Sequence, residues 1–237
     1  MGDAPTAAVV LMNWGDRWQC DLLSADYHDP AWPGEVWPRA LEQVGTLSAN
    51  PVELILRSDD HALIGLAEDA QFETSGGVGE TAWMNADERP MVPDLLPGFA
   101  LMDRSEGPNR PHPFVRRNGE TITERLAECS LYQPTLDLAI YAPNGDVGAY
   151  GLFWADPTTK VGLVEPMRTE DAYRGLGLAR HLLAVGLGRS AGAGCSRSKV
   201  SFDPVNEPAR RLYLGAGFRT VSITRTYVRG LSSPAGR

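Results

Sequence analysis

Two alternating segments, 136–142 (LDLAIYA) and 147–154 (VGAYGLFW), flank Pro143-Asn144-Gly145-Asp146. Asn-Gly between such runs is the strongest short-range hairpin signal, because both residues tolerate the positive φ of a tight turn. The hairpin commits the second half of the chain to a sheet. Residues 98–104 (GFALMDR) alternate in the same way, 120–131 read as a helix with Ile122, Leu126 and Cys129 on one face, and 161–169 is the next strand. The period then changes. Residues 176–190 are helical, with Ala179, Leu182, Leu183 and Gly186 sharing a face. Residues 199–203 (KVSFD) form a strand, 208–214 a helix with Pro208 in its first turn, and 220–229 a long last strand. Antiparallel strands followed by strand–helix–strand–helix–strand predict an α/β fold, of the α+β kind, on one mixed sheet.

The first half reads as a faded copy of the second. Residues 53–73 (ELILRSDDHALIGLAEDAQFE) align without gaps to 199–219 (KVSFDPVNEPARRLYLGAGFR) at an offset of 146. Each is a strand, a turn with Asp or Asn, and a helix leading to a Phe. Residues 9–16 (VVLMNWGD) likewise match 149–156 (AYGLFWAD), with Trp14 against Trp154. A first copy of this kind starts only at its third strand and leaves a sheet edge that needs cover. Residues 74–97, rich in Gly, Pro and acidic side chains, read as a boundary segment, and 105–113 as a loop. The expected organisation is a partial unit over 1–85, a linker over 86–97 and a complete domain over 98–237.

Composition narrows the partners. The 237 residues carry 22 Lys+Arg against 30 Asp+Glu, a net −8, in ordinary globular proportions. The longest apolar run, 7–12, is too short to span a bilayer, and Asp3 stands where a secretory signal has basic residues. Three separated cysteines and four histidines without ligand spacing suggest neither a disulfide framework nor a metal site. A cytoplasmic protein without a membrane partner is expected. Residues 168–237 hold 12 basic against 4 acidic side chains, a net +8, which leaves −16 for 1–167. Such a chain is a poor candidate for nucleic acid; the basic stretch near its C-terminal third is either a solvated face or a place for a compact anion.

The informative stretch is 167–179, MRTEDAYRGLGLA. A strand ends, and Arg174-Gly175-Leu176-Gly177-Leu178-Ala179 opens an amphipathic helix. The first N–H groups of a helix lack internal partners and sit at the positive end of its dipole. Glycines there let an anion approach the backbone, so the segment reads as a pyrophosphate cradle that Arg174 closes. Other phosphate-binding patterns fail: Gly-Lys-Ser/Thr is absent, and Gly175-x-Gly177 is followed by Arg180 where a dinucleotide fingerprint needs Gly or Ala. The formal G-x-G-x-x-A at 186–191 ends a helix rather than starting one. A nicotinamide oxidoreductase is therefore set aside.

Arg174 to Ala179 matches the R/Q-x-x-G-x-G/A signature, and the chain thereby resembles the GNAT superfamily of acyl-CoA-dependent N-acyltransferases. Two further elements agree in order and spacing. Residues 165–169 end five residues before Arg174, where the family has its cofactor-pairing strand. Residues 206–218 (NEPARRLYLGAGF) look like its N-x-x-A-x-x-L-Y-x-x-x-G-F segment. The resemblance implies a GNAT fold over 98–237, acetyl-CoA as co-substrate without a metal, and direct attack by a primary amine of a small molecule or peptide in a ternary complex. It implies that Met167, Arg168 and Thr169 pair with the pantetheine arm, and that the amides of Arg174, Gly175, Leu176, Gly177, Leu178 and Ala179 hold the pyrophosphate. It also implies a backbone N–H near Met167 for the oxyanion and Tyr213 as acid toward the departing thiolate. Tyr213 equally suits packing between Leu212 and Leu214. Asn206 either contacts the pantetheine arm or caps its helix. Glu165, expected on the face of Met167 and Thr169, is either the base for the incoming ammonium or a paired carboxylate. The acceptor pocket is expected within 105–134 and near Trp154 and Tyr227, where Phe114, Arg116, Arg117 and Tyr132 either offer aromatic and cationic groups to an amine or are plain surface.

The first copy departs from the family. Asp29-Pro30-Ala31-Trp32-Pro33-Gly34 replaces the cradle, Ala67 stands for Tyr213 and Gln71 for Gly217. The chain thus resembles a tandem GNAT protein with a shortened, degenerate first half. The rival to an enzyme is a non-catalytic acyl-CoA-binding or interaction module.

Overall fold

The computed structural model of the chain describes residues 7–24, 29, 31–47, 50–107 and 110–230. Pro30 and part of the 105–113 loop lie outside the described residues. In chain order the elements are β1 (Ala7–Asn13), β2 (Trp18–Ser24), α1 (Trp32–Gly45), β3 (Val52–Arg57), α2 (His61–Asp69), β4 (Glu73–Asn85), β5 (Ala100–Asp103), α3 (Val115–Asn118), α4 (Ile122–Ala127), β6 (Asp137–Tyr141), β7 (Val147–Asp156), β8 (Val161–Thr169), α5 (Leu178–Gly192), β9 (Arg197–Phe202), α6 (Glu207–Gly215) and β10 (Arg219–Arg229). They divide into two compact units, Met1–Glu80 with Ser222–Arg237, and Thr81–Val221.

The second unit orders its strands β9-β8-β7-β6-β5, antiparallel from β5 to β8 and parallel between β8 and β9. The mixed α/β sheet expected from the sequence is therefore present. One face packs on α5 through Leu178, Leu182, Leu183 and Leu187 against Leu138, Ile140, Phe153 and Val164. Gly186 is required by that packing, because a Cβ there would stand 2.0 Å from the Phe153 ring. The other face carries Tyr150 and Leu152 under Phe114 and Leu126. The end of β4, residues 81–85, completes the unit: Thr81 and Ser201 hydroxyls meet at 3.0 Å, and Ala82 and Met84 enter the core.

The first unit orders its strands β1-β2-β3-β10. β1 and β2 are antiparallel, β2 and β3 parallel, and β3 receives residues 224–229 of β10 antiparallel. Trp32, Val36, Trp37 and Ala40 of α1 pack with Leu54, Leu56, Phe72 and Tyr227. β1 stands at the end of this order and pairs among the described residues with β2 alone. No helix among the described residues is long and apolar enough to cross a membrane.

Several expectations need correction. Residues 74–97 are not a plain boundary, since 73–85 form the long strand β4. Its glycines answer to a close neighbour rather than to a turn: a Cβ on Gly77 or Gly79 would lie 2.8 or 2.5 Å from the Thr226 or Thr224 hydroxyl. Glycine in a strand marks such close approach. By compactness the chain divides at 80/81 and 221/222. Residues 86–97 lie within the second unit, tied by Arg219 to Glu88 at 2.9 Å and by the His181 ring to the Pro93 carbonyl at 2.7 Å. The helix expected over 120–131 ends at Ala127, which leaves Cys129 exposed rather than on the buried face.

Candidate active site

β8 leaves its parallel partner early. It pairs with β9 only at Val161, Gly162 and Leu163; along β7 it pairs at 161–164 and 167–169, with Glu165 and Pro166 in the irregularity between. Between Val164 and Met167 the β7–β8 register shifts, so that Leu152 faces both Glu165 and Pro166. This bulge overturns the expectation that Glu165 shares a face with Met167. Val164 and Met167 both pack toward α5, whereas Glu165 is exposed. The indole N–H of Trp154 donates to the Glu165 carbonyl at 2.7 Å.

Past the bulge, the Glu170 N–H donates to the Gly148 carbonyl at 2.9 Å, which fixes the alternation of the antiparallel ladder. Arg168 then spends its backbone groups on β7. The N–H and C=O of Met167 and Thr169 point the other way, into the opening between β8 and β9. Pro166 has no N–H, so Met167 carries the first donor beyond Glu165 on that edge. Arg168 reaches Glu170 at 3.7 Å and Asp171 at 3.6 Å with its side chain, and its buried Nε has no hydrogen-bond partner.

The chain next turns through Asp171–Tyr173 into α5. Gly175 and Gly177 adopt φ of +78° and +75°, the left-handed region that favours glycine, and a Cβ on either would project into open space. The Gly177 carbonyl accepts from Arg180 and His181, at 3.1 and 3.2 Å, and starts the helix. The N–H groups of Gly175, Leu176, Gly177, Leu178 and Ala179 find no acceptor among the described residues. Five consecutive free donors at the positive end of a fifteen-residue helix form an anion cradle. The Arg174 side chain, mostly exposed, is held at its rim by Asp171 at 2.9 Å.

Tyr213 projects from α6 into the core, 7% exposed, between the rings of Phe202 (5.5 Å) and Phe218 (6.0 Å). Burial first, and the Glu165 carboxylate second, push its phenol up to about 12. It is thus protonated at neutral pH, and its oxygen makes no hydrogen bond among the described residues. Asn206 caps α6, accepting the Ala209 N–H at 3.3 Å.

The aromatic and cationic residues expected around the acceptor are placed otherwise. Phe114 is buried, Tyr132 donates to Asp137 at 2.8 Å, and Arg117 pairs with Glu170 at 3.0 Å. Asp137 also holds the buried His112 at 2.7 Å, a clamp on the preceding loop. Tyr227 belongs to the core of the first unit. Trp154 does line an open cleft, together with Leu163 and Lys199. Sequence reasoning named the neighbourhood of Trp154 but not Leu163 or Lys199; the alternation of β7, β8 and β9 carried the signal, but only the strand register joins the three residues. Burial raises the Cys195 thiol above its ordinary value, which suits packing rather than nucleophilic use. No cluster of three or more His, Cys, Asp or Glu among the described residues is placed to hold a metal ion.

Comparison with known proteins agrees with this geometry. Residues 102–218 match the acetyltransferase (GNAT) family model. A GCN5-related N-acetyltransferase from Sphaerobacter thermophilus shares the fold at TM-score 0.68 and 15% identity, over 94% of this chain and 76% of that one. A tandem GNAT protein from the clavulanic acid biosynthesis pathway superposes at TM-score 0.71 and 12% identity, over 94% and 78%. A GCN5-related N-acetyltransferase from Kribbella flavida does so at 0.62 and 14%, over 92% and 82%. No curated protein matches the sequence significantly. Residues 102–218 are a GNAT-family acetyltransferase domain, and the fold likeness extends over both halves of the chain.

Proposed function

We propose that the chain is an acetyl-CoA-dependent N-acetyltransferase whose working site lies in the second unit. The observation that carries this is the run of five unpaired N–H groups at 175–179, beside a β8 edge with unpaired backbone groups. The two fit the pyrophosphate and the amide-bearing arm of one extended cofactor. Bound there, acetyl-CoA supplies an activated thioester.

The residues of the chain do the rest. The amides of 175–179 hold the pyrophosphate, and Arg174 turns from Asp171 to close over it. Met167 and Thr169 pair with the arm as one strand with another, and the Met167 N–H faces the carbonyl oxygen as negative charge develops. A donor of that kind is worth about 10²–10³ in turnover. The acceptor amine loses a proton toward Glu165 or water. Its nitrogen forms the new C–N bond, and the C–S bond breaks. Tyr213 then gives its proton to the departing sulfur, and the proton shed by the new amide nitrogen passes through solvent to restore the phenol. Asn206, with its oxygen used as the helix cap, keeps its amide N–H groups for the arm.

The first unit we read as a degenerate copy without a cradle or an acid. Three free cysteines suit a cytoplasmic setting. Acetyl-CoA with a panel of primary amines, followed by thiol release, tests the activity. Amine-dependent release is expected. Its absence despite tight acetyl-CoA binding would favour the non-catalytic binding module instead.

A further inference from the structure

The cleft beside Trp154 is not explained by cofactor binding. Trp154 on β7 pairs with Leu163 on β8, which pairs with Lys199 on β9, so the three form one row across the sheet on the face away from α5. Asp156 and Val161 form the next row, and Leu131 closes the side. The cleft holds about 280 Å³. That is at the small end of ligand pockets, about 300–1,000 Å³, and suits a small molecule rather than a polypeptide.

Its position relates it to the site of transfer. The row at Leu163 is the last at which β8 and β9 pair, and the strands part immediately beyond it. Glu165 follows Leu163 by two residues, about 7 Å along a strand. Trp154 joins the two levels, its ring lining the cleft and its N–H bound to the Glu165 carbonyl. A molecule seated here presents one end to the opening at Met167.

The lining gives the chemistry. Leu131, Trp154, Val161 and Leu163 supply an apolar bed. Of the two charged residues, Asp156 is already engaged, with the Thr158 N–H at 2.9 Å and the Thr159 hydroxyl on its carboxylate. Lys199 has no ion-pair or hydrogen-bond partner among the described residues. Lys199 is thus the charged side chain of the cleft left without a partner among the described residues, while the Asp156 carboxylate stays ionised and held by its own donors; the complement of Lys199 is an anionic group on an apolar body.

Resting on the acetyl-transfer reading above, we infer that the acceptor is a small amino-carboxylate with a bulky apolar or aromatic body, its carboxylate paired with Lys199 and its amine directed toward Glu165.

The test uses the full chain with acetyl-CoA and matched pairs of acceptors, phenylalanine against phenethylamine and leucine against isoamylamine, with acetyl-CoA binding followed separately by calorimetry. The carboxylate member of each pair should be preferred at least about tenfold in kcat/KM, the size of one charge-assisted contact. The preference should collapse in Lys199→Met and reverse in Lys199→Glu, with acetyl-CoA affinity kept. Equal or better turnover of the plain amines, or a ratio unmoved by Lys199→Met, overturns the inference. Binding of acetyl-CoA with no turnover of either amino acid overturns the substrate class alone. Loss of acetyl-CoA binding in the unaltered chain overturns the acetyl-transfer reading and this inference with it.

Discussion

Ala67 and Tyr213 stand at the same place in two copies of one local geometry. Five residues after each, a Phe N–H closes back on its carbonyl, Phe72 to Ala67 at 2.9 Å and Phe218 to Tyr213 at 3.1 Å. The correspondence holds along the segment at the constant offset of 146. α2 spans His61–Asp69 and α6 Glu207–Gly215, and Asp60 and Asn206 cap them through the N–H of Leu63 and Ala209. Gln71 and Gly217 both take positive φ, 66° and 109°. The frame is common to both halves, and the phenol is present in one.

Replacing Tyr213 with Phe removes the acid and keeps the ring between Phe202 and Phe218. Turnover should fall about a hundredfold or more, with acetyl-CoA affinity and melting temperature nearly unchanged. Steady-state kinetics and calorimetry on the same sample decide it; unchanged turnover would take Tyr213 out of the mechanism.

Gln71 holds a left-handed conformation that its counterpart leaves to glycine. A non-glycine residue there is disfavoured by about 1–2 kcal/mol, partly offset by the greater unfolded-state freedom of glycine. Gln71→Gly should therefore raise stability by up to about 1 kcal/mol in a thermal melt. A loss of 1 kcal/mol would contradict the shared geometry.

Alkali should act through two buried groups. Burial pushes the Cys20 thiol up to about 11 from 9.0 and the Tyr213 phenol up to about 12 from 10.0. Both are protonated more readily folded than unfolded. Their contribution to stability is complete below about pH 9 and is lost as pH rises through the folded values. Melting temperature should hold from about pH 7 to 9 and then decline. The same shift keeps Tyr213 a proton donor beyond about pH 10, so a falling limb in kcat near pH 8 that vanishes in Tyr213→Phe would contradict its assignment.

Cleavage should follow the strand map rather than composition. Met91 is 93% exposed outside any element, whereas Ala82 and Met84 of β4 are buried. Limited proteolysis should cut within 89–96 and spare 73–85. A fragment of 98–237 lacks Ala82 and Met84 and strands the β3-pairing part of β10, so it should give no cooperative melt. Early cleavage within 73–85, or a cooperative fragment, would show the units are built otherwise.

The sequence made the second unit readable where one local rule decided the structure. Asn144-Gly145 gave the hairpin, and the alternation of 161–169 gave β8 with the observed bounds. Gly175 and Gly177 announced the cradle because nothing else tolerates that backbone so well. Reading failed where a distant neighbour decided. Gly77 and Gly79 read as part of a boundary segment because the threonines they accommodate lie about 145 residues further on. Glu165 fell off the expected face because a bulge depends on the register with β7. Phe114, Arg117 and Tyr132 looked like ligand groups until their buried or charged partners were known. Lys199 looked ordinary until cross-strand pairing set it beside Trp154 and Leu163.

The most direct test of the account is calorimetric titration of the full chain and of Gly177→Glu with acetyl-CoA, with NADH as the control ligand and circular dichroism confirming that both proteins fold. The side chain introduced at Gly177 projects a carboxylate into the space over the free N–H groups. Saturable binding of acetyl-CoA, none of NADH, and loss of the former in the folded variant are predicted. Micromolar affinity retained in folded Gly177→Glu would contradict the cradle at the start of α5.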